Sequence, residues 1–284
     1  MNQEFTDKRT TLLLENHLLN SGILGREVCV DMYLPKNRVN NGRIRLLLFN
    51  DGQLLRTMSL EAILNDLYRK GKLVQVLIAG IFAGPLRRQE YGTAGILDFA
   101  GRGNRSKLYT CFILEELLPF ICGTYGISRF AEKAFAGFSL GGLSALDIVW
   151  NNPREFSKAG VFSGSLWWRT RDLGHGYVES VDRIMHNRIR AGTFVPGLKF
   201  FFECGTEDEQ MDRNGHGRID SVNDTEDLIG ELEAKGYRQP QDIRYVLVHG
   251  GMHHEITWAS VLPDFLVWGW GRNKPSSRGG QKMD

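Results

Sequence analysis

The chain lacks several features that would place it in other classes. Its four cysteines, Cys29, Cys111, Cys122 and Cys204, stand far apart, and no two of them form a Cys-x-x-Cys pair. That spacing speaks against a thiolate zinc site, a dithiol redox motif or a disulfide framework, and for buried reduced thiols. Charge of one sign is missing too: 35 Lys and Arg against 33 Asp and Glu leave +2 over 284 residues. So small an excess gathers neither nucleic acid nor an acidic membrane surface, and neither is expected as a partner. No uninterrupted apolar run reaches the roughly 20 residues of a bilayer span. The start, MNQEFTDKRTT, is polar, without the apolar stretch of a secretory leader. A soluble, cytoplasmic protein is the expectation. Neither an internal repeat nor a Pro/Ser-rich linker divides the body, which reads as one domain over residues 1–271. From Arg272 on, RNKPSSRGGQKMD is polar and Gly/Ser-rich, and residues 272–284 read as a disordered tail.

The body supplies ample material for a core, with 42% hydrophobic and 24% charged residues. Two strand-like stretches, Thr11 to Leu18 and Arg26 to Leu34, are joined by a turn at Ser21-Gly22. Alternation follows. RIRLLLFNDG, KLVQVLIAGIF, KAFAG, KAGVFSG, LKFFFECG and DIRYVLVHG read as strands with nearly continuous apolar runs. Helical spacing marks Ser59–Arg69, Tyr109–Tyr125, Leu140–Trp150, Asp224–Lys235 and Ile256–Gly269. Strands buried on both faces and alternating with helices predict an α/β fold. Its central sheet is mostly parallel, with an antiparallel N-terminal edge and helices on both faces. Ligands bind such sheets at the carboxyl ends of the strands.

Those ends carry the chemistry. Between the strand KAFAG and the helix LGGLSALDIVW lies Gly137-Phe138-Ser139-Leu140-Gly141-Gly142. A serine at such a strand-to-helix turn stands proud of the sheet, and glycines on both sides let strand and helix pass closely. The backbone N–H of Leu140 opens the helix where an oxyanion would form. A helix N-cap would explain this serine alone. A hydroxyl becomes nucleophilic only when a base takes its proton and an acid orients that base. Asp208 stands just past LKFFFE, with Glu203, Glu207 and Glu209 as competing acids; His253 stands after DIRYVLV, with His249 and His254 competing. Serine, acid and histidine follow three separate strands in the order that this fold uses. The loop Asn50-Asp51-Gly52-Gln53, after an early strand, is where a second oxyanion donor belongs, and the Gln53 N–H is the candidate.

With these residues the sequence resembles the esterases related to enterochelin esterase, esterase D and the mycolyltransferases, from about Arg26 to Trp270. The shared marks are Asp51-Gly52-Gln53, Glu90-Tyr91-Gly92, the Ser139 turn, Gly205-Thr206-Glu207-Asp208 and Gly250-Gly251-Met252-His253. The resemblance implies an α/β-hydrolase that acts on a small-molecule ester through Ser139, His253 and Asp208, with no cofactor. It selects Asp208, three residues after its glycine, and His253, two after the glycine pair. An acyltransferase on the same three residues, or a silent binding protein of the same fold, is the competing expectation.

Further residues follow the strand ends. Trp167 and Trp168, in FSGSLWWR, are candidates for the pocket wall, or else core tryptophans. Arg87, Glu90 and Tyr91, in GPLRRQEYG, resemble a stretch that lines the cleft in relatives. Arg87 suits a carboxylate or polar leaving group, and an Arg87–Glu90 pair is an equal alternative. The segment Asp212 to Asp224 mimics a calcium loop at Asp212, Asn214, Gly217, Ile219 and Asp220. But His216 holds the fifth place and Asn223 the twelfth, where glutamate is needed. A polar loop beside the acid, without metal, is expected.

Overall fold

In β3 (Arg45–Asn50), Leu46 and Leu48 enter one hydrophobic core, while Leu47 and Phe49 enter another on the opposite face. That alternation is the period-two geometry of a strand buried on both sides. The structure, a computed structural model, describes residues 11–36 and 44–272. The other strands are β1 (Leu12–Ser21), β2 (Arg26–Pro35), β4 (Val76–Ile81), β5 (Glu132–Phe138), β6 (Lys158–Phe162), β7 (Lys199–Glu207) and β8 (Ile243–Met252). They form one sheet in the order β1-β2-β4-β3-β5-β6-β7-β8. The pairs β1–β2 and β2–β4 are antiparallel, and every later neighbour is parallel.

Parallel neighbours require crossovers, and helices supply them on both faces. Helices Ser106–Tyr125, Leu140–Asn151, Ile184–Ala191 and Asp220–Lys235 pack one core; Leu60–Arg69 and Glu255–Trp270 pack the other. The mostly parallel sheet with its antiparallel N-terminal edge is as expected. From β3 the chain turns to β4 on one side and returns as β5 on the other. The carboxyl ends of β3 and β5 therefore flank a crevice at the point where strand order reverses.

Helix Ser106–Tyr125 is long and apolar, though Lys107, Glu115 and Glu116 interrupt its apolar run. Its 20 residues, with mean hydropathy 1.2, are by length and composition sufficient to cross a bilayer. Here the helix lies on the sheet, with Tyr109, Phe112, Ile113, Leu117 and Ile121 wholly buried in the core. It widens to a π turn over Phe112–Leu117, just ahead of Pro119, which has no amide hydrogen to continue the regular ladder. At the other end, the first residue of the expected tail is tied down: Arg272 donates its N–H to the Lys72 carbonyl and its Nε–H to the Leu73 carbonyl. The rest of that tail lies outside the described residues.

Candidate active site

Ser139 has φ 53° and ψ −122°, a region that side-chain-bearing residues rarely occupy, at a cost on the order of 1–3 kcal/mol. Backbone hydrogen bonds hold it there. Its N–H donates to the Phe162 carbonyl at 2.8 Å, and its own carbonyl accepts from Gly142 at 3.0 Å and Ser165 at 3.1 Å. The flanking glycines permit the crossing. A Cβ on Gly137 would stand 2.4 Å from the Gly141 oxygen, and one on Gly142 would stand 2.9 Å from the Gly137 oxygen. The Ser139 hydroxyl makes no capping bond to its helix, so a plain N-cap does not describe it. Its Oγ lies instead 3.3 Å from that of Ser165.

A cavity of about 250 Å³ opens at this turn, lined by Ser139, Ser163, Ser165, Trp167, Asp208 and His253 among others. The structure thus gathers the serine, the acid and the histidine that the sequence singles out. Asp208 accepts from the Gly205 N–H at 3.2 Å and from the Cys204 thiol at 3.3 Å, both on Oδ2. Its Oδ1 is buried with no hydrogen-bond partner, an acceptor held open. Protein packed around the His253 imidazole disfavours its charged form and holds its pKa below the ordinary 6.5, while the Asp208 carboxylate pulls upward and Arg87 pushes down. The indole of Trp258 meets the same imidazole edge to face, centroids 5.3 Å apart.

The rival residues have different settings. His254 caps the last helix, its Nδ1 accepting from the Ile256 N–H at 3.2 Å, and its Nε2 lies 3.4 Å from Glu255. His249 is exposed on β8 and Glu207 at the end of β7. Glu209 lines the cavity, half-buried. Glu203 is buried below it, and loss of water, with the Asp208 charge second, pushes its pKa up to about 8. Glu203 therefore keeps its proton at neutral pH.

Both residues expected to supply oxyanion donors stand at helix starts. Leu140 begins its helix, and Gln53 opens the short helix Gln53–Thr57 after β3. The intervening loop is clamped to the nucleophile turn: Asn50 donates Nδ2–H to the Gly141 carbonyl at 2.8 Å and accepts from the Tyr109 hydroxyl at 2.6 Å. Asp51, at φ 57°, receives both arms of Arg87, each at 2.7 Å. The Gln53 side chain accepts from the Ala83 N–H at 3.1 Å.

Several proposed cleft residues are placed elsewhere. The expected alternative pair Arg87–Glu90 does not form, because Glu90 accepts both arms of Arg26 at 2.9 and 2.6 Å and is fully buried. Tyr91 and Trp168 are equally buried beneath the cleft. Tyr91 accepts the Asp51 N–H at 3.2 Å and lies under the Arg87 guanidinium. Only Trp167 of this group lines the cavity. Ser163 and Ser165 were missed by the sequence reading, although their position after β6 was a usable signal.

The segment Asp212 to Asp224 is shorter as a loop than expected, since the helix begins at Asp220 and carries Asp224 into its buried face. Its acids are already satisfied. Asp212 accepts from the His216 and Gly217 N–H groups, and Arg213 pairs with Glu179, Asp220 and Asp224. An arginine thus stands where a cation would need those oxygens. Millimolar calcium is expected to leave the melting temperature unchanged; a clear rise that a chelator reverses would contradict this pairing.

No curated protein matches the chain by sequence. Among solved structures it resembles the enterobactin esterase FES of Shigella flexneri in the presence of enterobactin, at TM-score 0.69 and 20% identity over 90% of this chain and 58% of that one. The chain thus spans less than two thirds of that neighbour. It also resembles the siderophore hydrolase EstB of Aspergillus nidulans (TM-score 0.66, 16% identity, 90% and 94% covered) and a ferulic acid esterase (0.65, 16%, 91% and 98%). At these identities the likeness shows the fold. Residues 21–268 match the family model described as "Putative esterase", and the chain belongs to that family, with the fold these neighbours share.

Proposed function

We propose that the protein hydrolyses a small-molecule carboxylic ester through a Ser139–His253–Asp208 triad and an acyl-enzyme. The observation that carries this reading is the strained Ser139 sharing one cavity with His253 and Asp208, whose buried Oδ1 has no hydrogen-bond partner. In the first half-reaction Ser139 Oγ attacks the ester carbonyl while the neutral imidazole of His253 accepts its proton. Asp208 holds the imidazole in the tautomer whose free nitrogen faces the serine and stabilises the imidazolium that forms. The N–H groups of Leu140 and Gln53 stabilise the tetrahedral oxyanion. Collapse expels the alcohol, which takes the proton from His253. Water, deprotonated by the same base, then releases the acid and restores Ser139.

For the substrate, a second cavity of about 310 Å³ shares Trp167 and Glu209 with the first and is lined by Phe99, Arg102 and Arg169. The Arg102 guanidinium lies 5.2 Å, and that of Arg169 5.7 Å, from the Trp167 ring. Such a surface suits a planar acyl or alcohol group, in keeping with neighbours named for enterobactin and ferulic acid.

The test is a pH profile with a chromogenic aryl ester. His253 must be neutral to act, so kcat/KM is expected to be flat at neutral pH. It should fall tenfold per unit of acid through one ionisation lying below 6.5, the direction set by packing around the ring. A plateau that begins only above pH 7.5, or activity that a chelator abolishes, would overturn the reading.

A further inference from the structure

β1 forms one border of the sheet, and no described residue pairs with its outer edge. Its hydrogen bonding shows which groups that edge offers. The Lys36 N–H donates to the Thr11 carbonyl at 2.9 Å, and the register runs on without a bulge from Leu12 opposite Pro35 to Ser21 opposite Arg26. In an antiparallel pair the bonded residues alternate. Leu13, Glu15, His17 and Leu19 therefore direct their N–H and C=O groups to β2. Leu14, Asn16, Leu18 and Asn20 direct theirs outward.

Free edges are ordinarily blunted by lysine, proline, a bulge or extreme shortness. β1 has ten residues, LLLENHLLNS, and none of these devices. Leu13, Leu14 and Leu18 are instead 44%, 37% and 59% exposed. Its sequence also reads nearly the same in both directions about Asn16: Glu15 against His17, Leu14 against Leu18, Leu13 against Leu19.

We propose that two copies of this chain pair β1 with β1, antiparallel and centred on Asn16, joining their sheets across a two-fold axis. An isologous contact requires that if residue i meets j, then j meets i, and this strand satisfies that condition. The bonded pairs are Asn16 with Asn16 and Leu14 with Leu18, both drawn from the outward-facing set. The unbonded pairs, whose side chains come closer, are Glu15 with His17 and Leu13 with Leu19. Moving the centre to Glu15 sets two carboxylates opposite each other and leucine against asparagine. Moving it to His17 sets two imidazoles opposite each other. Only the Asn16 centre sets Glu15 opposite His17, two side chains that already share the Tyr125 hydroxyl within each chain, and leucine opposite leucine. On one face, Leu14 borders a cavity of about 470 Å³ under helix Leu60–Arg69, and the second copy's Leu18 would cover its outer margin. This contact is independent of the ester chemistry, since no β1 residue lines the Ser139 cavity.

The test is the solution mass of the full chain at tens of micromolar by light scattering after gel filtration. Twice 32.2 kDa is expected. Asn16→Pro removes an outward N–H at the axis that β2 does not use, a position where an edge strand tolerates proline. It is expected to give a monomer with unchanged esterase activity. His17→Glu places like charges opposite Glu15 and should weaken the dimer at least tenfold, and the double exchange Glu15→Lys with His17→Glu should restore it. A monomeric parent, a dimer indifferent to Asn16→Pro, or a His17→Glu defect that the exchange does not rescue would each overturn the proposal.

Discussion

Replacing Ser139 by alanine is expected to lower kcat for an aryl ester by about 10⁴- to 10⁶-fold and to leave the melting temperature almost unchanged. The two readouts separate because the hydroxyl and the backbone of this residue do different things. The turn is held by main-chain bonds from Ser139 N–H to Phe162 and from Gly142 and Ser165 N–H to the Ser139 carbonyl, all of which alanine keeps. The one side-chain neighbour, Ser165 Oγ at 3.3 Å, is too distant for a strong hydroxyl pair. Folding therefore loses little, whereas the proposed acyl-enzyme loses the oxygen that carries the acyl group. Ser165→Ala is the control, since its hydroxyl is the nearest alternative nucleophile. Ser165→Ala as inactive as Ser139→Ala, or Ser139→Ala as active as the parent, would reassign the nucleophile.

Asp208→Asn should reduce kcat by about 10³- to 10⁴-fold. Asparagine has one acceptor where aspartate has two, and both carboxylate oxygens have a role. Oδ2 accepts from Gly205 N–H and the Cys204 thiol, and the unpartnered Oδ1 is the oxygen that the proposed mechanism gives to the imidazole. With the amide nitrogen in the Oδ1 place, a donor faces the imidazole and reverses its tautomer. With the nitrogen in the Oδ2 place, it meets the Gly205 N–H donor to donor. The loss of the carboxylate charge also moves the His253 ionisation further down, so the acid limb of the pH profile should shift to lower pH. Glu207→Gln, at an exposed position, should be mild. The reverse ranking in steady-state kinetics would move the acid to Glu207.

The architecture was largely legible in the chain because apolar runs, helical spacing and glycine positions are local properties. Gly137 and Gly142 announce a close crossing before any coordinates do, and the serine between them follows from it. What the sequence hid depends on partners distant along the chain. Arg87 has Glu90 three residues away, the natural guess for an ion pair. Yet the fold brings Asp51 to Arg87 and Arg26 to Glu90, and both pairs are bidentate. Tyr91 and Trp168 read as cleft aromatics until the sheet and helices close over them. The acids of the Asp212 to Asp224 segment resemble metal ligands in one dimension and become arginine ligands in three. Helix Asp220–Lys235 starts four residues earlier than its spacing suggested, carrying Asp220 into it as well as Asp224.

The buried carboxyl of Glu203 links folding to the uptake of a proton. In the unfolded chain a glutamate releases its proton near 4.5; in the fold Glu203 retains it to about pH 8. Between those values the native state binds more protons than the unfolded state, so this residue's contribution to stability declines as pH rises. His186, buried and held down to about 3, has the opposite slope, but its influence ends near the ordinary histidine value of 6.5. From there to about pH 8 the slope from Glu203 stands without that opposition. Under the proposed mechanism His253 is fully neutral over the same interval. Across that interval activity under this mechanism holds level while Glu203 contributes progressively less to the stability of the fold.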